Sequence, residues 1–160
     1  MRTLPRSAGT DVAAQCFLNA LLRETKDWRY LPATAADELS QIHIPLSQTQ
    51  AIRVSVHYFS PTQHHQYRFP AMLIQTDSDR SDAVTFPQLI DLILEKPDVK
   101  GSLDADTLTR FKQRALESHA HTWQAIDLRH RWANLRDTPL TFAEAEQALL
   151  VGHAFHPAPK

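Results

Sequence analysis

The residue types that could do chemistry gather in the last nine positions, Gly152-His-Ala-Phe-His-Pro-Ala-Pro-Lys160. Gly152 can supply the left-handed cap that ends a preceding helix, and Pro157 and Pro159 stiffen the segment beyond it. His153, His156 and Lys160 are therefore displayed with little conformational entropy left to lose on binding. Imidazole and ammonium groups donate to oxygen anions, so phosphate and carboxylate are the ligands this arm fits. An ordinary C-terminal tail has the same composition, and residue types alone leave both readings open.

Other candidate chemistry is weaker. There are nine histidines, but the pairs His64/His65, His119/His121 and His153/His156 lack the cysteines or the HExxH helix that make a metal site specific, and no native metal site is expected. His64 and His65 fall in a polar hairpin loop and read as solvent-exposed. His119 falls on the apolar side of a long helix and reads as a core histidine satisfied by a neighbour. Cys16, the single cysteine, lies inside an apolar helical pattern and reads as a buried hydrophobe in a reducing cytoplasm. No G-x-S-x-G elbow and no glycine-rich phosphate loop is present. With three glycines in 160 residues, a complete nucleotide-binding enzyme is not expected within this chain.

The elements that must carry these groups belong to one domain of α+β class. Hydrophobic residues make up 42% and charged residues 22% of the chain, a globular balance that needs no disulfide or metal. The 17 basic and 18 acidic side chains nearly cancel, so nucleic acid is not an expected partner. No apolar run approaches the length that spans a bilayer, and a cytoplasmic protein without a membrane partner is expected.

A helix is predicted over 12–25, capped by Thr10 or Asp11, with Phe17, Leu18, Leu21 and Leu22 facing the core. Residues 26–40 read as a connection. The period then changes to two: strands are predicted over 41–46, 51–58 and 67–75, and their short connections favour a three-stranded antiparallel meander. Pro45 and Pro70 lack a ladder donor and should sit at an edge or away from a partner. Residues 76–83 read as a polar loop. Helices are predicted over 86–95, 104–136 and 141–151, the second long enough to allow a break near His121 or Arg129. Thr141 and Glu144 stand in capping-box register for the last.

The run GHAFHPAPK resembles the Gly-His-Pro-x-His-Pro-x-x-Lys signature of the siderophore synthetases that work independently of non-ribosomal peptide synthetases, the IucA/IucC family. Residues 14–24 (AQCFLNALLRE), 58–65 (YFSPTQHH) and 143–150 (AEAEQALL) are similar to the family as well. The likeness spans residues 11–160 and is strongest to the aerobactin-pathway branch, which joins citrate to N-acetyl-N-hydroxylysine.

The resemblance implies that residues 1–160 form the N-terminal thumb domain of a larger, hand-shaped synthetase, cut just after the signature. Such enzymes use ATP and magnesium to adenylate citrate, and an amine or hydroxyl nucleophile then displaces AMP. The resemblance makes His153, His156 and Lys160 binding residues for ATP or citrate and assigns no catalytic residue. The 160-residue chain itself is expected to be inactive, with no cofactor bound, and the oligomeric state of the parent stays open. Ala154 stands where the family has proline, which loosens the arm around His153. The alternative is a non-catalytic binding or interaction domain that uses the same cationic arm, and a histidine metal-binding domain ranks last.

Overall fold

Alternation of apolar and polar residues builds the centre of the molecule. In the computed structural model, which describes residues 7–78, 80–132 and 141, Ile42 and Ile44 alternate with Gln41 and His43, and Ile52, Val54 and Val56 alternate with Arg53 and Ser55. Every one of these aliphatic side chains is buried, the pattern of strands with one face in the core. They lie in β2 (Ser40–Pro45) and β3 (Gln50–Tyr58), and β4 (Gln66–Gln75) follows as the third predicted strand.

The α+β expectation holds, but the sheet has five strands instead of three. β1 (Arg29–Leu31) and β5 (Ser81–Val84) flank the meander, in the order β1-β2-β3-β4-β5 with every pair antiparallel. Three-residue β1 is too short to show a period, and the polar, largely exposed β5 lies in what reads as a loop. Both strands are defined by the partner that they pair with. Short edges of this kind also limit pairing with other chains.

The two prolines occupy interior strands at positions that ask for no ladder donor. Pro45 is the last residue of β2, opposite Ala51 beside the turn. Pro70, after a cis Phe69–Pro70 bond, lies between Arg68 and Met72, where the register of β3 and β4 shifts. It is also one residue beyond the Ala71–Val84 pair that begins the β4–β5 ladder.

α1 (Ser7–Glu24) lays Ala14, Leu18 and Leu22 on the inner face of the sheet. It begins before Thr10 and Asp11, so those residues are within the helix and do not cap it. The indole of Trp28 donates to the carbonyls of Leu22 at 2.9 Å and Thr25 at 3.2 Å, satisfying groups that the helix end leaves open. α2 (Phe86–Leu94) completes the core with Phe86, Leu89, Ile90 and Ile93. At its start, Gln88 Oε1 accepts from the backbone N–H of Thr85 at 2.9 Å.

A short α3 (Pro97–Ser102), not foreseen because Pro97 and Gly101 read as terminators, leads to α4 (Ala105–Trp132). Asp104 starts α4 by accepting from the Thr107 backbone N–H at 2.8 Å and hydroxyl at 2.6 Å, contacts that hold its carboxyl below the usual range. α4 runs unbroken through His121 and Arg129 and packs on α1. Residues 133–136 and the predicted helix 141–151 lie outside the described residues, Thr141 apart. No helix among the described residues is long and apolar enough to cross a membrane.

One buried charge ties these parts together. Lys96, 5% exposed, follows α2 and pairs with Asp27 in the connection from α1 to β1, with Asp98 at 3.9 Å. Ile52, at the centre of the middle strand, has no exposed surface. Ile52→Ala is expected to destabilise the fold by about 2–5 kcal/mol, read as a lowered midpoint in urea unfolding.

Candidate functional site

His153, His156 and Lys160 lie outside the described residues, as does the 143–150 stretch. The other two stretches that resemble the family meet in space. Asn19, from the middle of α1, enters the loop between β3 and β4 and bonds both backbone groups of His65. Its Nδ2 donates to the His65 carbonyl at 3.2 Å, and its Oδ1 accepts from the His65 N–H at 3.1 Å. The same oxygen accepts from the Tyr67 hydroxyl at 2.9 Å. Burial raises the Tyr67 pKa far above its ordinary value, so the phenol stays a donor.

His65 corrects the sequence reading, because it is 1% exposed. Its ring stacks on Phe59 with centroids 4.6 Å apart, and Trp28 and Tyr67 stand edge-on at 6.0 and 6.1 Å. Tyr30 stacks on the Phe59 ring at 4.0 Å. The Ser60 N–H donates to His65 Nδ1 at 3.1 Å. The neutral ring must then carry its proton on Nε2, which is buried without a hydrogen-bond partner among the described residues. Burial first, and the neighbouring His64 second, hold its pKa below the ordinary 6.5. The polarity of the loop hides this box. Asn19, a polar residue between Leu18 and Leu22 on the buried stripe, is the signal that a partner was needed.

The remaining candidates stay apart. His119 packs on Phe86 with centroids 5.2 Å apart, as a core-facing position requires, and burial lowers its pKa. It helps line a groove of about 450 Å³ with Phe69, Pro70, Val84 and Leu89, at which Asp11 is the carboxylate, its pKa raised by burial. His121 is exposed. Burial pushes the Cys16 thiol up to about 11, so it is neutral and unreactive near pH 7. Among the described residues no group of three or more His, Cys, Asp or Glu could hold a metal ion. These residues build a platform with a rigid polar clamp.

The class that this platform belongs to emerges from its likeness to known proteins. Over nearly all of its length the chain is related to siderophore synthetases of the IucA/IucC family. The particular relatives are named as synthases of a citryl-acetyl-hydroxylysine or as aerobactin synthetase. The chain is 54% identical over 153 residues to the N(2)-citryl-N(6)-acetyl-N(6)-hydroxylysine synthase of Escherichia coli, a match covering 96% of this chain and 26% of that protein. The enzyme of the same name from Vibrio mimicus is 38% identical over 145 residues, covering 91% and 24%. The structure of ATP-bound aerobactin synthetase IucA from a hypervirulent Klebsiella pneumoniae superposes with a TM-score of 0.78 at 55% identity, covering 94% of this chain and 26% of that one. No family model matches the chain. The chain thus spans about a quarter of the length of these relatives.

Removing the Asn19 side chain would strand the His65 backbone groups and the Tyr67 hydroxyl in the interior. Asn19→Ala is expected to cost about 3 kcal/mol in denaturant unfolding, more than its lost volume accounts for. A second test uses pH. The unfolded chain takes up a proton near pH 6.5 that folded His65 resists. Its contribution is therefore complete above that pH and declines as pH falls through it toward the lower folded value. His65→Asn keeps an acceptor for the Ser60 N–H and should flatten part of the stability loss between about pH 7 and 5. His43 and His119, lowered in the same sense, add to the slope.

Proposed function

We propose that this chain is the N-terminal thumb domain of an ATP-dependent aerobactin synthetase, which activates citrate and joins it to N-acetyl-N-hydroxylysine through an amide. The observation that carries the reading is the 54% identity, sustained over 96% of the chain, to a synthase of that citryl-hydroxylysine product. The ATP-bound state of the related IucA supports the use of ATP. The reaction belongs in the cytoplasm, where ATP is available.

The chemistry defines what the C-terminal arm contributes. Bound ATP with magnesium supplies an adenylyl group. Attack by a citrate carboxylate brings two anions together, so positive groups must offset their repulsion. Lys160 and the N–H groups of His153 and His156 are the cationic and donor groups this chain offers for that purpose. Held by Gly152, Pro157 and Pro159, they would keep carboxylate and phosphate oxygens in register while pyrophosphate departs. The hydroxylysine amine then attacks the activated carbonyl and AMP leaves. The division of contacts between ATP and citrate among the three residues is part of the same proposal. The Asn19–His65 clamp acts earlier, by making the platform rigid.

Two measurements test the reading. The purified 160-residue chain is expected to release no AMP that depends on citrate and hydroxamate, and release above background would overturn its inactivity. In an intact synthetase carrying this sequence, His156→Ala and Lys160→Ala should each lower adenylation by about 10²-fold with the fold unchanged. Wild-type rates in both variants would sink the assignment of the arm.

A further inference from the structure

The helices cover one face of the sheet, and strand register determines what the other presents. Arg29 lies opposite His43, His43 opposite Arg53, Arg53 opposite Met72 and Met72 opposite Ala83, so this row crosses all five strands. The next row toward one end is Leu31, Gln41, Ser55 and Arg68, and toward the other it is Pro45, Ala51, Ile74 and Ser81. These rows contain three arginines and a histidine and no carboxylate. Like charges on neighbouring strands weaken a sheet, and a face that only meets water ordinarily mixes signs.

Two carboxylates border this face, Asp27 in a hollow with Arg29 and His43 and Glu38 in one with Arg68, and both bond to other groups. Asp27 pairs with Lys96, and Glu38 accepts from the Thr34 hydroxyl at 2.7 Å. Among the described residues no carboxylate pairs with Arg29, Arg53 or Arg68, and His43 Nε2 is buried without a hydrogen-bond partner. Between the cations stand apolar groups: Met72, Ile74 and Ala51 are half-buried, and Leu31 is 41% exposed. Cations interleaved with apolar side chains suit a protein surface that brings carboxylates and apolar contacts together.

We infer that this outer sheet face is where a carboxylate-bearing surface of the rest of the synthetase docks. The inference rests on the proposed function, under which about three quarters of the enzyme must pack against this domain. A second copy is a poorer occupant, because it would set arginine against arginine. A small anion would leave Met72, Ile74 and Leu31 unused.

The test titrates the 160-residue chain, by calorimetry at low and moderate salt, with the separately expressed remainder of the E. coli synthase, and follows AMP release from the mixture. A complex weakened by salt is expected. Reversing both Arg29→Glu and Arg53→Glu should weaken it at least about tenfold, while Arg110→Glu on α4 should change it less than about twofold. Arg53→Gln, which introduces no new charge, should weaken it about threefold and serves if the double reversal unfolds the sheet. Unchanged affinity in these variants overturns the inference even where mixing restores AMP release. So does self-association of the chain through the same arginines, or a citrate or ATP affinity that alone responds to them. Charge-sensitive binding without AMP release counts against the synthetase reading and leaves the surface standing, and failure to form a complex sinks both.

Discussion

The structure depends on one side-chain amide. Asn19 sits on the buried stripe of α1 and satisfies, with its two polar atoms, both backbone groups of His65 and the hydroxyl of Tyr67. A helix packed on a sheet through aliphatic contacts alone can slide, because such contacts have little direction. A buried amide allows only the arrangement in which all of its partners are met. Asn19 thereby sets where α1 lies along β4 and how the β3–β4 loop folds back. The aromatic box then follows, since a loop held at His65 brings Phe59 onto the imidazole and Tyr30 onto Phe59.

Most of the centre of this fold was legible in the sequence, and the reasons are local. Ile52-Arg-Val-Ser-Val alternates long enough for its period to be unmistakable, and Leu18 and Leu22 repeat at helical spacing. β1 and β5 were not legible, because three or four residues with partly polar side chains become a strand only when a neighbour offers a ladder. His65 was misread for a related reason. Loop polarity predicts exposure on average, whereas this loop folds inward around one side chain whose partner is 46 residues away. Lys96 repeats the lesson, being buried only because Asp27 is brought to it from 69 residues away. Of the candidate site, the histidine and lysine types in GHAFHPAPK were readable, but composition alone could not tell a binding arm from a tail.

The described residues hold few groups suited to catalysis, and that is physically consistent with a platform. The Cys16 thiol is raised away from reactivity, the Tyr67 phenol is kept protonated, and the His65 ring is kept neutral inside an aromatic box. Each shift has burial as its largest cause, and each favours the neutral form of its group. Such groups give rigidity and directional hydrogen bonds. Under the proposed function, an arm holding two anions within bonding distance would gain from that rigidity, because looseness in the support would separate the cations from the charge they offset.

The two faces of the sheet solve opposite electrostatic problems. On the helix side, the polar groups that enter the interior do so with their partners: Asn19 with His65, Trp28 with the end of α1, Lys96 with Asp27. On the outer side, Arg29 on β1, Arg53 on β3 and Arg68 on β4 stand without a carboxylate among the described residues paired to them. Exposed arginines in water cost little, but His43 is different. Its Nε2 is shut off from solvent without a hydrogen bond, and burial together with Arg53 suppresses its charge. Among the described residues it shares this state with His65 Nε2, but His65 is enclosed by aromatic rings whereas His43 stands in the row of arginines. A carboxylate set over the row would lie between Arg29 and Arg53 at once, offsetting charge that the described residues leave uncompensated.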